Sequence, residues 1–99
     1  MIRHIVVWQL LSEDPAQKEA DFRYVKEQLE GLNGVIPTLK SLTVHADVAR
    51  TDGNWDLGLV ADYDSRDDLD AYQVHPAHQA VVANVKPLFR SRATLDFEV

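Results

Sequence analysis

Cysteine is absent from this 99-residue chain, which excludes disulfides, thiolate nucleophiles and every cysteine-based metal site. Basic charge is scarce. Ten lysines and arginines against sixteen aspartates and glutamates give a net charge of −6, a surface that repels phosphate backbones and anionic headgroups, so neither nucleic acid nor membrane is an expected partner. There are only four glycines, with no phosphate-cradling loop or dinucleotide fingerprint among them, and no serine nucleophile elbow. Internal repeats, low-complexity tracts and linkers are missing as well. The apolar start, MIRHIVVWQLL, lacks the long hydrophobic region and small-residue cleavage site of a signal peptide and alternates like a strand, as expected of a cytoplasmic protein.

What remains is ordinary globular material. An apolar fraction of 45%, a charged fraction of 26% and a mean hydropathy of −0.25 point to one domain over residues 1–99. A chain of this length buries somewhat more than about 60% of its unfolded surface, enough for a core without staples.

Alternation of Ile2, His4, Val6, Trp8 and Leu10 with Arg3, Ile5, Val7 and Gln9 predicts a first strand over 2–11, apolar on both faces. Asp14-Pro15 then reads as an N-cap followed by proline at the first helical position, opening a helix to about Leu32 with the stripe Phe22, Val25, Leu29 and Leu32. Asn33-Gly34 stops it. Residues 39–48 predict a second strand, Asp52-Gly53 a turn, and 55–63 a third strand forming a hairpin with the second. Ser65 caps a short helical piece through Tyr72, and a further helix begins at Pro76. In that helix His78, Val82, Val85 and Phe89 form one stripe, with Pro87 expected to kink or end the helix near Val85. Arg92 to Val99 alternate as a last strand.

The order β-α-β-β-α-β is the ferredoxin-like arrangement of the α+β class: a four-stranded antiparallel sheet with both helices on one face. The other face carries Ile5, Val7 and Val60, apolar surface that a second sheet would cover, so a symmetric homodimer is expected.

The chemically suggestive cluster is AYQVHPAHQAVVANV. His78 falls in the first turn after Pro76, on the apolar side, and His4 shares a strand face with Val6 and Trp8. If both face the helix-covered side, they approach across one interior space, with Tyr72 at the joint between helical pieces. The first-turn amides and apolar burial both disfavour imidazolium, so His78 should be mostly neutral at pH 7 and able to accept a proton. Tyr72 would then offer a hydroxyl to a substrate oxygen. The same placement also suits a hydrogen-bonded core histidine, the commoner role for a histidine on an apolar stripe. His75 is placed to cap the helix, and His45 on the polar side of strand two is expected to be exposed or interfacial. The pocket wall would comprise His4, Val6 and Trp8 from strand one, Leu57 and Leu59 from strand three, and Val82 and Phe89 from the last helix. Although His75 and His78 have i,i+3 spacing, no acidic residue matches them on that helix, and no metal site is expected. The run Asp62, Asp64, Asp67, Asp68, Asp70 lacks calcium-loop spacing and reads as a solvated rim.

MIRHIVVWQL, VIPTLKSLTVHADV, RTDGNWDLGLVADY, AYQVHPAHQAVVANVKPLF and ATLDFEV together resemble, over nearly the whole chain, the stress-responsive A/B barrel domain (Dabb) family. The resemblance implies a dimeric α+β barrel of two ferredoxin-like protomers. One plant branch of that family cyclises linear polyketides by intramolecular aldol condensation without a cofactor, using a pocket histidine and tyrosine as the acid/base pair. Tyr72 and His78 match those positions, and His4 matches a pocket histidine on the first strand. Leu57 departs from that branch, standing where a further pocket histidine is found and making the pocket more apolar. The functions in view are a cofactor-independent acid/base catalyst on a small hydrophobic or aromatic molecule, a non-catalytic dimeric stress or small-ligand-binding protein, and a cofactor-independent monooxygenase.

Overall fold

The computed structural model describes residues 1–99. Its elements are β1 (Ile2–Leu10), α1 (Pro15–Glu30), β2 (Ser41–Ala46), β3 (Leu57–Tyr63), α2 (Arg66–Val74), α3 (Pro76–Val85) and β4 (Phe89–Glu98), with a 3-10 turn at Lys86–Leu88. The four strands form one antiparallel sheet in the order β2-β3-β1-β4, and the helices cover one face, the ferredoxin-like arrangement. No helix is long and apolar enough to cross a membrane.

Local chemistry starts and stops these elements. The Asp14 carboxylate accepts from the Gln17 amide at 2.9 Å, and Pro15 fills the first helical position where no amide is needed. α1 ends at Glu30, two residues before the expected Leu32, and the chain leaves through tight turns to Gly34, whose φ of 79° only glycine adopts without strain. The Asn33 side chain ties that exit to β2, donating to the Leu42 carbonyl and accepting from its amide, both at 2.9 Å. Leu32 is still buried, because those turns fold it back onto the core.

β2 is an edge strand, and α1 protects it. Glu30 accepts from the Val44 amide at 2.9 Å while Lys26 donates to the Val44 carbonyl at 2.8 Å, so this i,i+4 pair occupies backbone groups that an edge would otherwise offer to another chain. The strand runs over Ser41–Ala46 rather than 39–48, since its partner β3 begins only at Leu57, opposite Ala46. Trp55 lies before β3; Asp56 instead bonds the Leu10 amide with its side chain at 2.7 Å and the Trp8 carbonyl with its own amide at 3.0 Å.

The core sits between sheet and helices. Val6, Trp8, Leu42, Val44, Leu57, Leu59, Ala61 and Tyr63 enter from the strands, and Val25, Leu29, Leu69, Tyr72 and Val85 meet them from the helices. Phe22 packs against this core from the N-terminal half of α1. On the opposite face Ile5 stands between Val60 and Leu95 in register, Val7 is opposite Ala93, and Leu95 and Phe97 are 62% and 38% exposed.

Two expectations for the C-terminal part are corrected. α3 ends at Val85, as Pro87 predicts, so the row of His78 does not continue on the helix to Phe89: Pro87 sits in the 3-10 turn, and Phe89 opens β4, which therefore starts three residues before Arg92. The residues of α3 that pack into the core are Ala77, Val81 and Val85, while Val82 is 36% exposed. Both sets have helical spacing, so periodicity alone leaves the rotation of the helix undetermined.

Leu42 is 2% exposed and Val48 90% exposed. Leu42→Ala is expected to lower the unfolding free energy by about 2–5 kcal/mol, and Val48→Ala to change it by less than about 0.5 kcal/mol. Urea unfolding followed by circular dichroism reads both, and equal effects would contradict this division of core and surface.

Candidate active site

The break between α2 and α3 builds the site. His75 has ψ 135°, outside the helical range, and Pro76 follows it, so the helix hydrogen bond from the Ala77 amide to the Gln73 carbonyl is not made. Two histidines replace it. His75 Nδ1 accepts from the Ala77 amide at 3.1 Å, and His78 Nδ1 lies 3.0 Å from the Gln73 carbonyl oxygen. A carbonyl only accepts, so His78 Nδ1 carries the proton, and neutral His78 keeps its Nε2 lone pair for the cavity it lines.

The His78 ring stands 4.4 Å from the Tyr72 ring, and Tyr72 in turn 5.2 Å from Tyr63. Tyr63 meets His4 edge-on at 6.5 Å. These four rings come from α3, α2, β3 and β1 in turn, which locks the helix break onto the sheet. His4 is 3% exposed, and its Nδ1 pairs with the Asp96 carboxylate, its register neighbour on β4. Neither phenol oxygen, Tyr72 nor Tyr63, has a partner in hydrogen-bonding geometry.

Burial dominates the electrostatics. It holds His78 below its ordinary value, opposed by the bond to Gln73 and assisted by the basic groups of His4, Arg92 and His75 around it. Burial also pushes the Tyr72 hydroxyl up to about 12, opposed by the neighbouring Tyr63 hydroxyl, and Tyr63 higher still, where Tyr72 adds to the effect; the two hydroxyls are thus near each other although they do not meet in hydrogen-bonding geometry. At neutral pH the site therefore presents a neutral imidazole and a protonated phenol.

These groups border a cavity of about 550 Å³, within the roughly 300–1,000 Å³ usual for small-molecule sites. His4, Val6 and Trp8 line it from β1 and Leu59 from β3. Tyr72, His78 and Val82 line it from the helices, and Phe89 stacks on Trp8 at a ring distance of 4.6 Å with an interplanar angle of 8°. Leu57 does not line it. Placed opposite Trp8 and Ala46 at the start of β3, Leu57 is 3% exposed within the core, and of that register pair Trp8 is the one that lines the cavity.

Sequence reasoning did not single out Asp96, nor Leu29, Gln73, Lys86, Arg90, Ser91 and Arg92, which also border the cavity. For Asp96 the signal is register: antiparallel pairing of the terminal strands with Ile2 opposite Glu98 brings His4 opposite Asp96. His75 caps α3, and His45 is exposed with its Nε2 2.9 Å from the Thr43 hydroxyl. No three His, Cys, Asp or Glu side chains converge to hold a metal ion.

The chain is similar to a dimeric protein of unknown function with a ferredoxin-like fold from Bacteroides fragilis, at TM-score 0.88 and 27% identity, covering 99% of this chain and 95% of that one. A dimeric ferredoxin-like protein of unknown function from Thermobifida fusca is 33% identical, with TM-score 0.82, over 99% of this chain and 90% of that one. A hydroxynitrile lyase from Passiflora edulis is 16% identical, with TM-score 0.79, over 99% of this chain and 92% of that one, a likeness of fold. No curated protein matches the chain. The stress responsive A/B barrel domain model, Dabb, matches residues 2–99, and the chain belongs to that family.

Proposed function

We propose that this Dabb protein is a cofactor-independent acid/base catalyst acting on a small hydrophobic or aromatic carbonyl compound. The observation that carries the reading is the locked His78: its Nδ1–H is committed to the Gln73 carbonyl, which leaves Nε2 as the base, on a ring 4.4 Å from that of Tyr72, whose buried hydroxyl has no partner in hydrogen-bonding geometry. His78 removes a proton next to the carbonyl, Tyr72 donates to the carbonyl oxygen as negative charge develops there, and His4, held by Asp96, positions the substrate. A buried hydroxyl without a partner is costly in the empty protein, and a substrate oxygen offsets that cost. The largely apolar cavity wall supports a second reading, in which the same pocket only holds a guest and returns it unchanged.

The working form in this reading is a homodimer. The Bacteroides and Thermobifida relatives are described as dimeric, and the sheet face bearing Ile5, Val7, Val60, Leu95 and Phe97 has no cover within one chain. In sedimentation equilibrium the protein is expected at twice the chain mass, with Leu95→Asp shifting it toward monomer. A monomer at micromolar concentration in the unsubstituted protein contradicts the dimer.

Exchange of the α-protons of aryl methyl ketones in D2O, followed by proton NMR, tests the chemistry without a known substrate. His78→Ala is expected to slow exchange by about 10²–10⁴-fold and Tyr72→Phe by about 10²-fold. Since His78 is held below 6.5, it stays neutral through pH 7, and the rate should fall only on acidification below that value. Exchange unaffected by both substitutions, with bound ketone recovered unchanged, would leave the binding reading in its place.

A further inference from the structure

The cavity mouth has a charge opposite to that of the molecule. Of ten basic residues in a chain with sixteen acidic ones, Lys86, Arg90 and Arg92 border the cavity, and no aspartate or glutamate does. Elsewhere Arg3, Lys18, Arg23, Lys26 and Lys40 each hold a carboxylate, while Arg50 and Arg66, away from the cavity, hold none. Arg90 reaches Glu13 at 3.3 Å, whereas Lys86 and Arg92 have no ion-pair partner. Lys86 also complements the carboxyl end of α3, where it is the cap residue, so the weight of the argument falls on Arg92.

Arg92 stands in register opposite Trp8, on the helix-covered side of β4, next to the Trp8–Phe89 stack. Like charges around one cavity, of which Arg90 alone has a carboxylate partner, are unfavourable in an empty site and become favourable when an anion binds; a low-dielectric wall concentrates their field at the mouth. A guanidinium fork matches a carboxylate with two parallel hydrogen bonds. The inner wall is apolar, from Val6, Leu29, Leu59 and Val85.

We infer that the cavity selects small carboxylic acids with a flat apolar body, the body lying against Trp8 and Phe89 and the carboxylate held at the mouth by Arg92 with Lys86. The inference rests on the reading of this cavity as the substrate site and names the class of substrate it takes. Selection for a carboxylate also excludes cationic compounds of the same shape.

Titration calorimetry with three molecules of one shape, 3-phenylpropanoate, 3-phenylpropanol and 3-phenylpropylamine, tests it. The acid is expected to bind about tenfold or more tightly than the alcohol, and the amine most weakly. Arg92→Gln combined with Lys86→Gln should bring the acid down to the alcohol's affinity and leave the alcohol unchanged, which also reports an intact cavity in the variant. Arg23→Gln, on the far side of α1 and paired with Glu19, should alter none of the three. An alcohol that binds as well as the acid, an acid preference that survives loss of both cations, or no binding by any of the three overturns the inference. Acid preference without proton exchange would defeat the catalytic reading alone, and proton exchange on neutral ketones without acid preference would defeat this inference alone.

Discussion

The helix break at His75–Pro76 is the constraint on which the site depends. A continuous helix from Arg66 to Val85 would spend the Gln73 carbonyl and the Ala77 amide on each other. Because proline follows a residue in extended conformation, both groups are freed, and each is taken by a histidine: His75 accepts the amide and His78 donates to the carbonyl. The two bonds have opposite sense, and the sense of the second puts the proton on His78 Nδ1. A backbone defect thereby determines which nitrogen of a side chain is free for chemistry. The ring sequence His78, Tyr72, Tyr63, His4 then carries this local arrangement across to the sheet, so the imidazole and the phenol are positioned by core packing rather than by a loop.

The same fold that covers one face of the sheet leaves the other bare, and the two facts are linked. A βαββαβ chain returns both helical segments to one side, so the outer residues Ile5, Val60 and Leu95 can be covered only by another molecule. The edge strand β2 is treated differently. Lys26 and Glu30 occupy the Val44 backbone groups, which discourages strand addition there and leaves face-to-face packing as the open route to assembly.

Much of this was legible in the residue order because it is local. Asp14, Ser65 and Pro76 mark helix starts by their own chemistry, alternation marks the strands, and the extended His-Pro dipeptide marks the break. His4, Tyr72 and His78 were legible as one group, since alternation and helical spacing place each on the covered side. Rotation and register were harder. Val81 and Val82 both continue an i,i+4 row from Ala77 or His78, and only packing decides which row enters the core. Phe89 continues the row of His78 arithmetically, but the 3-10 turn at Pro87 hands it to β4, where it meets Trp8 from the neighbouring strand. Leu57 shares the strand face of Leu59, yet the register that puts it opposite Trp8 keeps it in the core. Asp96 and Arg92 depend on the pairing of the two ends of the chain. An excess of acidic residues summed over the molecule hides a cationic mouth assembled from the turn after α3 and the start of β4.

The most direct test of the central claim is the state of one ring. Long-range proton–nitrogen correlation spectra of the ¹⁵N-histidine-labelled protein at pH 7.5, assigned with His78→Gln, should show His78 neutral, protonated at Nδ1, with an Nε2 shift typical of an unprotonated nitrogen and a titration midpoint below 6.5. An Nε2–H tautomer, or an imidazolium persisting at neutral pH, would contradict the account, because the Gln73 carbonyl would then not be holding the ring and no base would face the cavity.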